Sequence, residues 1–142
     1  MKLNLPVSGR AVNVGSSANI LSTTDLKGAV SYVNQDFIDI SGFSAAELLG
    51  KNHNIVRHPD MPPAAFAHLW QTLKAGKSWM GLVKNRCKNG DHYWVSAYAT
   101  PMPRNGQVVE YQSVRTQASA AQIAAAERLY AALNARSEEH TS

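Results

Sequence analysis

Two stretches of the chain carry side chains whose types and spacing suit the binding of a small molecule. In the first, alternate residues of a predicted strand share one face, and these are Trp79, Gly81, Val83 and Asn85. An aromatic ring, a gap without a side chain, an apolar spacer and an amide together form a slot suited to a cofactor. The ordinary alternative is that Trp79 is a core residue and Asn85 a polar strand-end residue, because buried aromatic residues usually serve packing.

The second stretch is the polar connector 51–60, which contains two histidines and an arginine. The Arg57 guanidinium suits a bidentate bond to a phosphate group, and His58 can donate to a phosphate or ring oxygen. Asp60 is also a candidate, although capping of the helix that follows explains it well. His53 is a weaker candidate, because a histidine in such a segment more often lies at the surface.

Two further candidates lie on the last two predicted strands. Tyr93 offers a hydroxyl group, and it shares a face with Ala97 and Ala99, whose short side chains keep that face shallow. An ordinary half-buried strand explains this pattern nearly as well. Val114, on the fifth strand, is expected to complete the same wall.

The last two candidates belong to predicted helices. Asn34 precedes a short helix, so capping that helix and contacting a ligand explain it equally well. Phe66 follows the i, i+3, i+4, i+7 pattern with Leu69, Trp70 and Leu73, which predicts one apolar helix face. We expect Phe66 to lie nearer the ligand and Trp70 to lie in the core.

The elements that must position these residues follow a simple order of two strands, several helices and three strands. The strands are predicted at 20–24, 29–33, 79–87, 92–100 and 107–116, and the helix N-caps at Asn34, Ser44, Asp60 and Ser119. Strands clustered at both ends indicate an α+β fold with an antiparallel sheet and helices over one face. The final helix is additional to this core, so we expect it to pack outside the sheet or against a second copy.

Length and composition limit the class of protein. The chain has 142 residues, of which 44% are hydrophobic and 17% charged, which suits one globular domain. A single cysteine, Cys87, excludes an intrachain disulfide framework and a multi-cysteine zinc site. The sequence shows neither a membrane-length apolar run nor a signal-peptide pattern, so we expect a cytoplasmic domain without direct membrane insertion. The net charge of +4 is spread along the chain, so nucleic-acid binding is not expected, and no metal site is expected either.

Three stretches resemble the FAD-binding PAS domain of bacterial aerotaxis receptors. They are Ser22–Leu26, His53–Pro62, and Val83–Arg86 followed by Lys88–Val95. The resemblance extends from about Leu21 to about Asn134. The chain is also similar, more distantly, to the flavin PAS domains of redox sensors that control nitrogen fixation.

This resemblance implies a PAS fold, in which a five-stranded antiparallel sheet has the order 2-1-5-4-3 and binds FAD non-covalently. It divides the chain into a loosely packed lead-in (1–18), a PAS sensor domain (19–118), and a C-terminal signalling helix with its tail (119–142). The expected partner is the HAMP and chemoreceptor signalling region of a membrane-anchored full-length protein, and a homodimer is left open.

The resemblance also turns the candidates into a predicted cofactor site. Trp79 is expected to contact the flavin ring, Asn85 to bond near N5 and O4, and Phe66 to lie toward the adenine. Arg57, His58 and Asp60 are expected to matter for FAD retention. The complete predicted set is Asn34, His53, Arg57, His58, Asp60, Phe66, Trp79, Asn85, Tyr93 and Val114.

The choice of an amide at Asn85 has a chemical reason. Oxidised flavin N5 accepts a hydrogen bond, whereas reduced and protonated N5 donates one. A side-chain amide carries both functions and can rotate to present either, whereas an ionised Asp could only accept. The sequence therefore predicts a sensor in which Asn85 converts electron transfer into a change of hydrogen bonding, and not a metabolic enzyme.

Two other classes of function stay open at this point. One is a PAS module that binds a non-flavin ligand or none and serves in dimerisation. The other is a flavoenzyme, which would need a second binding motif that the sequence does not show. Neither a glycine-rich nucleotide loop nor a hydrolytic constellation is recognisable, and Cys87 lies on a late strand, away from the segment where a light-formed flavin adduct needs a cysteine.

Overall fold

A computed structural model describes the backbone of residues 4–141 and the side chains of residues 4–136. Met1–Leu3 of the predicted lead-in and Ser142 of the predicted tail lie outside the described residues. The strands are β1 (Ile20–Thr24), β2 (Val30–Val33), β3 (Trp79–Arg86), β4 (His92–Arg104) and β5 (Gln107–Gln117). The helices are α1 (Gln35–Ser41), α2 (Ala45–Leu48), α3 (Pro63–Lys74) and α4 (Ala120–Thr141), with a 3-10 turn at His53–Val56.

The five strands form one antiparallel sheet in the order β2-β1-β5-β4-β3, which confirms the predicted fold. Register determines which residues share a face. Ala97 of β4 lies opposite Gly81 of β3 on one side and Arg115 of β5 on the other, and Arg115 lies opposite Ile20 of β1. This inner face carries the main hydrophobic core.

The predicted caps are confirmed for the two short helices. The Asn34 carboxamide oxygen accepts a hydrogen bond from the Phe37 amide at the start of α1. Ser44 and Glu47 form a complete capping box around α2. The predicted cap of α3 is wrong, because Pro62 occupies the N-cap position without a side-chain bond. The Asp60 carboxylate instead accepts a hydrogen bond from Lys84 Nζ at 2.7 Å.

The hairpin between β4 and β5 is tighter than predicted. The predicted strands end at 100 and begin again at 107, which leaves 101–106 as the turn, but β4 continues to Arg104 with a register shift between Met102 and Pro103. The turn is Asn105-Gly106, with φ of 54° and 80°. Two successive residues with positive φ are what a two-residue hairpin requires.

The lead-in packs against the sheet, which corrects the expectation of a loosely packed segment. β5 pairs with β4 only as far as Val95, and Ala11 forms a parallel bridge with His92 beyond that point. Val14 is buried in the core. The segment before β1 therefore lies beside the first residues of β4, where β5 no longer pairs with that strand.

The C-terminal helix lies against the outer face of the sheet near β3 and β4. The Tyr130 hydroxyl donates to the Leu82 carbonyl at 2.6 Å. Its ring stacks on Trp94 with a centroid distance of 6.1 Å and an interplanar angle of 18°. Further along the helix, the Asn134 amide donates to the Asp60 carbonyl at 2.8 Å. Of the two predicted placements, the structure shows the one outside the sheet.

Candidate functional site

A cavity of about 350 Å³ lies between the inner face of the sheet, the 3-10 turn and α3. This volume is at the lower end of the range of roughly 300–1,000 Å³ for small-molecule sites. The residues that line it come from every strand except β2, from the connector and from α3. They are Ser22, Thr24, Asn52, His53, Asn54, Val56, Arg57, Phe66, Ala67, Leu69, Trp70, Leu73, Val83, Asn85, Ala97, Ala99, Tyr111, Gln112, Ser113 and Arg115.

Four predicted site residues line this cavity: His53, Arg57, Phe66 and Asn85. The backbones of Arg57 and Asn85 form an isolated antiparallel bridge, so the connector is held directly against β3. The Arg57 guanidinium lies 4.2 Å from the Phe66 ring centroid, in a cation–π contact. Its Nη2 atom is buried and has no hydrogen-bond partner among the residues that the structure describes. Burial lowers the pKa of Arg57.

Asn85 occupies the inner face of β3 opposite Tyr93 of β4. Asn85 is 4% exposed and Tyr93 is 1% exposed. The Tyr93 hydroxyl is a second buried polar atom without a geometrically satisfactory partner in the described part of the chain. Burial raises the pKa of Tyr93 to about 12, against smaller lowering effects of Arg115 and Asn85. Tyr93 is therefore a buried residue with a neutral hydroxyl that lies beside Asn85 and does not line the cavity.

The sequence analysis missed Arg115, which lies at the inner wall of the cavity. It is 3% exposed and comes from β5, the central strand of the sheet. Its Nη2 donates to Ser22 Oγ at 2.7 Å and its Nη1 donates to His53 Nε2 at 3.0 Å. Its Nε is buried without a partner among the described residues, and its guanidinium carbon lies 4.9 Å from the Phe37 ring centroid.

The bond from Arg115 defines the protonation state of His53. An arginine nitrogen can only donate, so His53 Nε2 accepts and the imidazole is neutral with its proton on Nδ1. Burial, reinforced by the nearby Arg115 charge, lowers the pKa of His53 to about 3. The predicted surface position of His53 is thus replaced by a half-buried one at the cavity wall. Neither Ser22 nor His53 brings a negative charge to Arg115.

The electrostatic character of the cavity follows from its lining. Two arginines are present, and the described lining contains neither Asp nor Glu. Burial lowers the pKa of Arg115 to about 10, which leaves the side chain protonated at neutral pH. Buried charges are normally paired, because desolvation of an unpaired one is costly. A cavity with one buried cation, one half-buried cation and buried donors that lack partners among the described residues is therefore suited to an anionic or acceptor-rich ligand.

Asn34 and Trp79 were predicted to contact the cofactor, and the structure places both outside the cavity lining. The Asn34 side chain is used in hydrogen bonds to the backbone. Its Oδ1 accepts from the Leu21 and Phe37 amides, and its Nδ2 donates to the Asn19 carbonyl. The Trp79 indole packs over Gly81, where an added Cβ would come within 2.4 Å of it. Its Nε1 donates to His68 Nδ1 at 2.9 Å. Trp79 is thus a buried core residue, and the gap at Gly81 is filled by its own neighbour.

His58 and Asp60 also lie outside the lining, in what we call the outer cluster: His58, Asp60, Lys84 and His92. His58 is 2% exposed, its Nδ1 accepts the Asp60 amide at 3.0 Å, and its ring meets His92 edge-on. Burial lowers the pKa of His58 to about 4. The hydrogen bond from Lys84 is the main reason why the pKa of Asp60 is lowered. Their placement does not support the prediction that these two residues touch the cofactor.

The predicted position of Val114 in the cavity wall is wrong. Val114 lies opposite Tyr98, which is exposed on the outer face, whereas Ser113 and Arg115 point inward and line the cavity. The prediction chose the wrong set of alternate residues on this strand. Trp70, predicted to be core, lines the cavity, and its ring meets Tyr111 edge-on at 5.7 Å.

The residues present fit a flavin. The sheet wall carries Val83, Ala97 and Ala99, and their small apolar side chains leave room for a planar ring. Asn85 supplies an amide that can donate or accept, and the cationic groups suit the oxygen-rich edge of the ring and a pyrophosphate. The cavity volume of about 350 Å³ suits a flavin ring system better than an entire dinucleotide.

The fold and the cavity define a small α+β domain with an internal site of ligand size, and comparison with known proteins identifies its class. A family profile described as PAS fold matches residues 30–115, so the chain belongs to the PAS-fold family. Over 122 residues it is 53% identical to the aerotaxis receptor of Escherichia coli (strain K12), which covers 86% of this chain and 24% of the receptor. It is 28% identical over 100 residues to the nitrogen fixation regulatory protein of Klebsiella pneumoniae, covering 70% of this chain and 20% of that protein.

Solved structures show the same fold. A structure from work on a flavin analogue and light-oxygen-voltage domain mechanism matches with a TM-score of 0.67 at 22% identity, covering 87% of this chain and 89% of that one. The chain spans about a quarter or less of the length of the two curated relatives above. No helix in the described part of the chain is long and apolar enough to cross a membrane.

Proposed function

We propose that this PAS domain binds FAD non-covalently in the cavity and acts as a redox sensor for aerotaxis. The observation that carries the proposal is the lining itself: Arg57 and Arg115 present buried, unpartnered donors in a cavity whose described lining has no carboxylate. The high identity to an aerotaxis receptor supports the biological role. FAD supplies the redox chemistry when bound, and the protein holds it and responds to its state.

Each cavity residue has a role in this proposal. Arg57 lies on the connector with Nη2 free, so it is placed to bind the pyrophosphate, with Phe66 beside it. Asn85 lies on the inner face of β3 and binds the ring near N5 and O4. Because its amide can present either hydrogen or oxygen, it can rotate when the ring changes from acceptor to donor.

A path from Asn85 to the C-terminal helix is visible in the fold. Asn85 belongs to β3, and the Leu82 carbonyl of the same strand accepts the Tyr130 hydroxyl of α4. A change of hydrogen bonding at Asn85 can therefore bias the position of α4, which leads out of the domain. We expect the signal to pass to a HAMP and chemoreceptor signalling region of a membrane-anchored receptor, with this domain on the cytoplasmic side and acting as a sensory module rather than an enzyme.

The test is to purify the protein, record its visible spectrum, and identify what is released on denaturation. We expect a yellow protein that releases FAD, bleaches on anaerobic reduction with dithionite and recovers its colour in air. A folded, colourless protein that fails to take up added FAD would overturn the proposal and leave a dimerisation module or a PAS domain with another ligand. A different released chromophore would identify that ligand.

A further inference from the structure

Arg115 needs an explanation beyond retention of the cofactor. Its charge is fully buried, yet its hydrogen-bond partners Ser22 and His53 are neutral. Removal of a charged side chain from water is unfavourable unless an opposite charge compensates it. Neither the described cavity lining nor the described hydrogen-bond partners of Arg115 supply that charge.

The surrounding structure holds the guanidinium in one place. Ser22 on β1 and His53 on the 3-10 turn accept from two different nitrogens, and the Phe37 ring packs on the guanidinium. The facing residue on β4 is Ala97, whose short side chain leaves the sheet wall open beside Arg115. The cation is therefore fixed at the inner wall, whereas Arg57 lies on the connector.

We propose that Arg115, positioned by Ser22 and His53, makes the site bind reduced FAD more tightly than oxidised FAD. This inference rests on the proposed function. An external two-electron reductant such as dithionite reduces the ring, and with one proton taken up from the solvent the ring gains one negative charge. Arg115 compensates that charge in a cavity without described carboxylates, where electrostatic interactions are stronger than in water. The neutral His53, whose Nε2 already accepts from Arg115, has no excess proton to give to the ring.

Linkage makes this proposal measurable. A group that favours the reduced cofactor raises its reduction potential, and the same free energy appears as the ratio of the two binding constants. For this two-electron couple, a tenfold change in that ratio corresponds to about 30 mV. Removal of a group that binds the pyrophosphate weakens the binding of oxidised and reduced FAD by the same factor. The reduction potential is then unchanged.

The two cavity arginines provide a matched pair for the experiment. FAD affinity of the cofactor-free protein is measured for the oxidised and dithionite-reduced cofactor under anaerobic conditions, together with the potential, in wild type, Arg115→Met and Arg57→Met. We expect Arg115→Met to reduce the preference for reduced FAD at least tenfold and to lower the two-electron potential by about 30 mV or more. We expect Arg57→Met to weaken both states by the same factor without a change of potential.

Two further variants keep the test decisive. Arg115→Gln removes the charge and retains a donor to Ser22, so it carries the same expectation if Arg115→Met does not fold. Arg115→Lys keeps the charge, and we expect it to retain most of the preference for the reduced state.

The outcomes separate this inference from the proposed function. Wild-type protein that binds no FAD overturns both. Tight FAD binding with equal losses for both redox states in Arg115→Met or Arg115→Gln overturns only the role of Arg115.

Discussion

The cavity and the outer cluster both include residues of the connector 51–60, yet the hydrogen-bonding groups of the two regions are in opposite conditions. On the cavity side, Arg57 Nη2 and Arg115 Nε have no partners among the described residues. On the outer side, the Asp60 carboxylate binds Lys84, its amide donates to His58, and its carbonyl accepts from Asn134. Native proteins leave few buried polar groups unsatisfied, so the exceptions point to a ligand.

The backbone explains how adjacent residues come to serve the two regions. Arg57 follows the 3-10 turn with φ of −71° and ψ of 126°, an extended conformation. Successive side chains of an extended chain point to opposite sides, so Arg57 enters the cavity and His58 the outer cluster. Residue type alone makes both look like phosphate-binding groups. The difference teaches that satisfied and unsatisfied hydrogen bonds separate structural residues from candidate ligand-binding residues in this domain.

The largest effect on FAD affinity is expected for Arg57→Ala, on the cavity side of the comparison. The loss of charge-assisted hydrogen bonds, worth roughly 1.5–3 kcal/mol, predicts FAD binding that is roughly 10- to 100-fold weaker. The domain should stay folded, because the described side-chain contact of Arg57 is with Phe66 at the cavity wall. Binding titration and circular dichroism measure the two effects. Full FAD occupancy after extensive dialysis would contradict a role of Arg57 in binding the cofactor.

The outer cluster is expected to contribute to the loss of stability at acid pH. The pKa of His58 is lowered to about 4 in the folded protein, against 6.5 for an unperturbed histidine. Between these values the unfolded state binds more protons, so the free energy of unfolding falls as pH decreases from 6.5 toward 4. At pH 5 the contribution of His58 is a loss of about 2 kcal/mol.

His58→Asn keeps an acceptor for the Asp60 amide and does not titrate. Denaturant unfolding at pH 7 and pH 5 should therefore show a smaller pH-dependent loss in this variant than in the wild type. Equal losses in the two proteins would show that His58 is not the group responsible.

A smaller effect is expected for Asn85→Asp, at the point where the cavity meets β3. A carboxylate beside the ring disfavours added negative charge, so we expect a two-electron potential lower by roughly 30 mV, a tenfold effect, with the fold retained. Asn85→Ala is the control for the switch. If it keeps full FAD content, an unchanged potential and unchanged redox-driven structural shifts, Asn85 is not the switch.

The smallest effect is expected for Lys84→Met, which removes the ion pair with Asp60. Half-exposed ion pairs contribute little, so the free energy of unfolding should fall by less than about 1 kcal/mol, and FAD affinity should not change. Lys84 is 9% exposed and Asp60 lies nearer the solvent. A tenfold loss of FAD affinity in this variant would show that the outer cluster belongs to the binding site, and the contrast between the two regions would fail.

The sequence predicts the fold well because its signals are local. The capping residues, the hairpin pair and the strand alternation each act within a few residues, and they place Asn85 on the inner face of β3. The role of Asn34 is also local, and the structure shows it as the N-cap of α1. The sheet order came from the resemblance, since local signals do not determine it.

The cavity is harder to predict because Arg115 depends on distant parts of the chain. Its partners Ser22 and His53 are brought to it by β1 and by the connector. From the sequence alone, an arginine on a strand is expected to face the solvent. The prediction assigned the inward face of β5 to the wrong alternate residues, and therefore chose Val114. Strict alternation from Tyr111 would have identified position 115 as facing inward. The burial of Trp79 over Gly81 is a packing detail that spacing alone does not give.

A crystal structure of the FAD-bound protein tests the central claim most directly. We expect the flavin ring in the cavity beside Asn85 and the sheet wall, with acceptor atoms of the cofactor bonded to Arg57 and Arg115. The bonds of Asp60 to Lys84 and Asn134 should be unchanged. A ring bound at the outer cluster, or a cofactor that leaves both arginines without partners, would contradict the assignment of the cavity as the redox site.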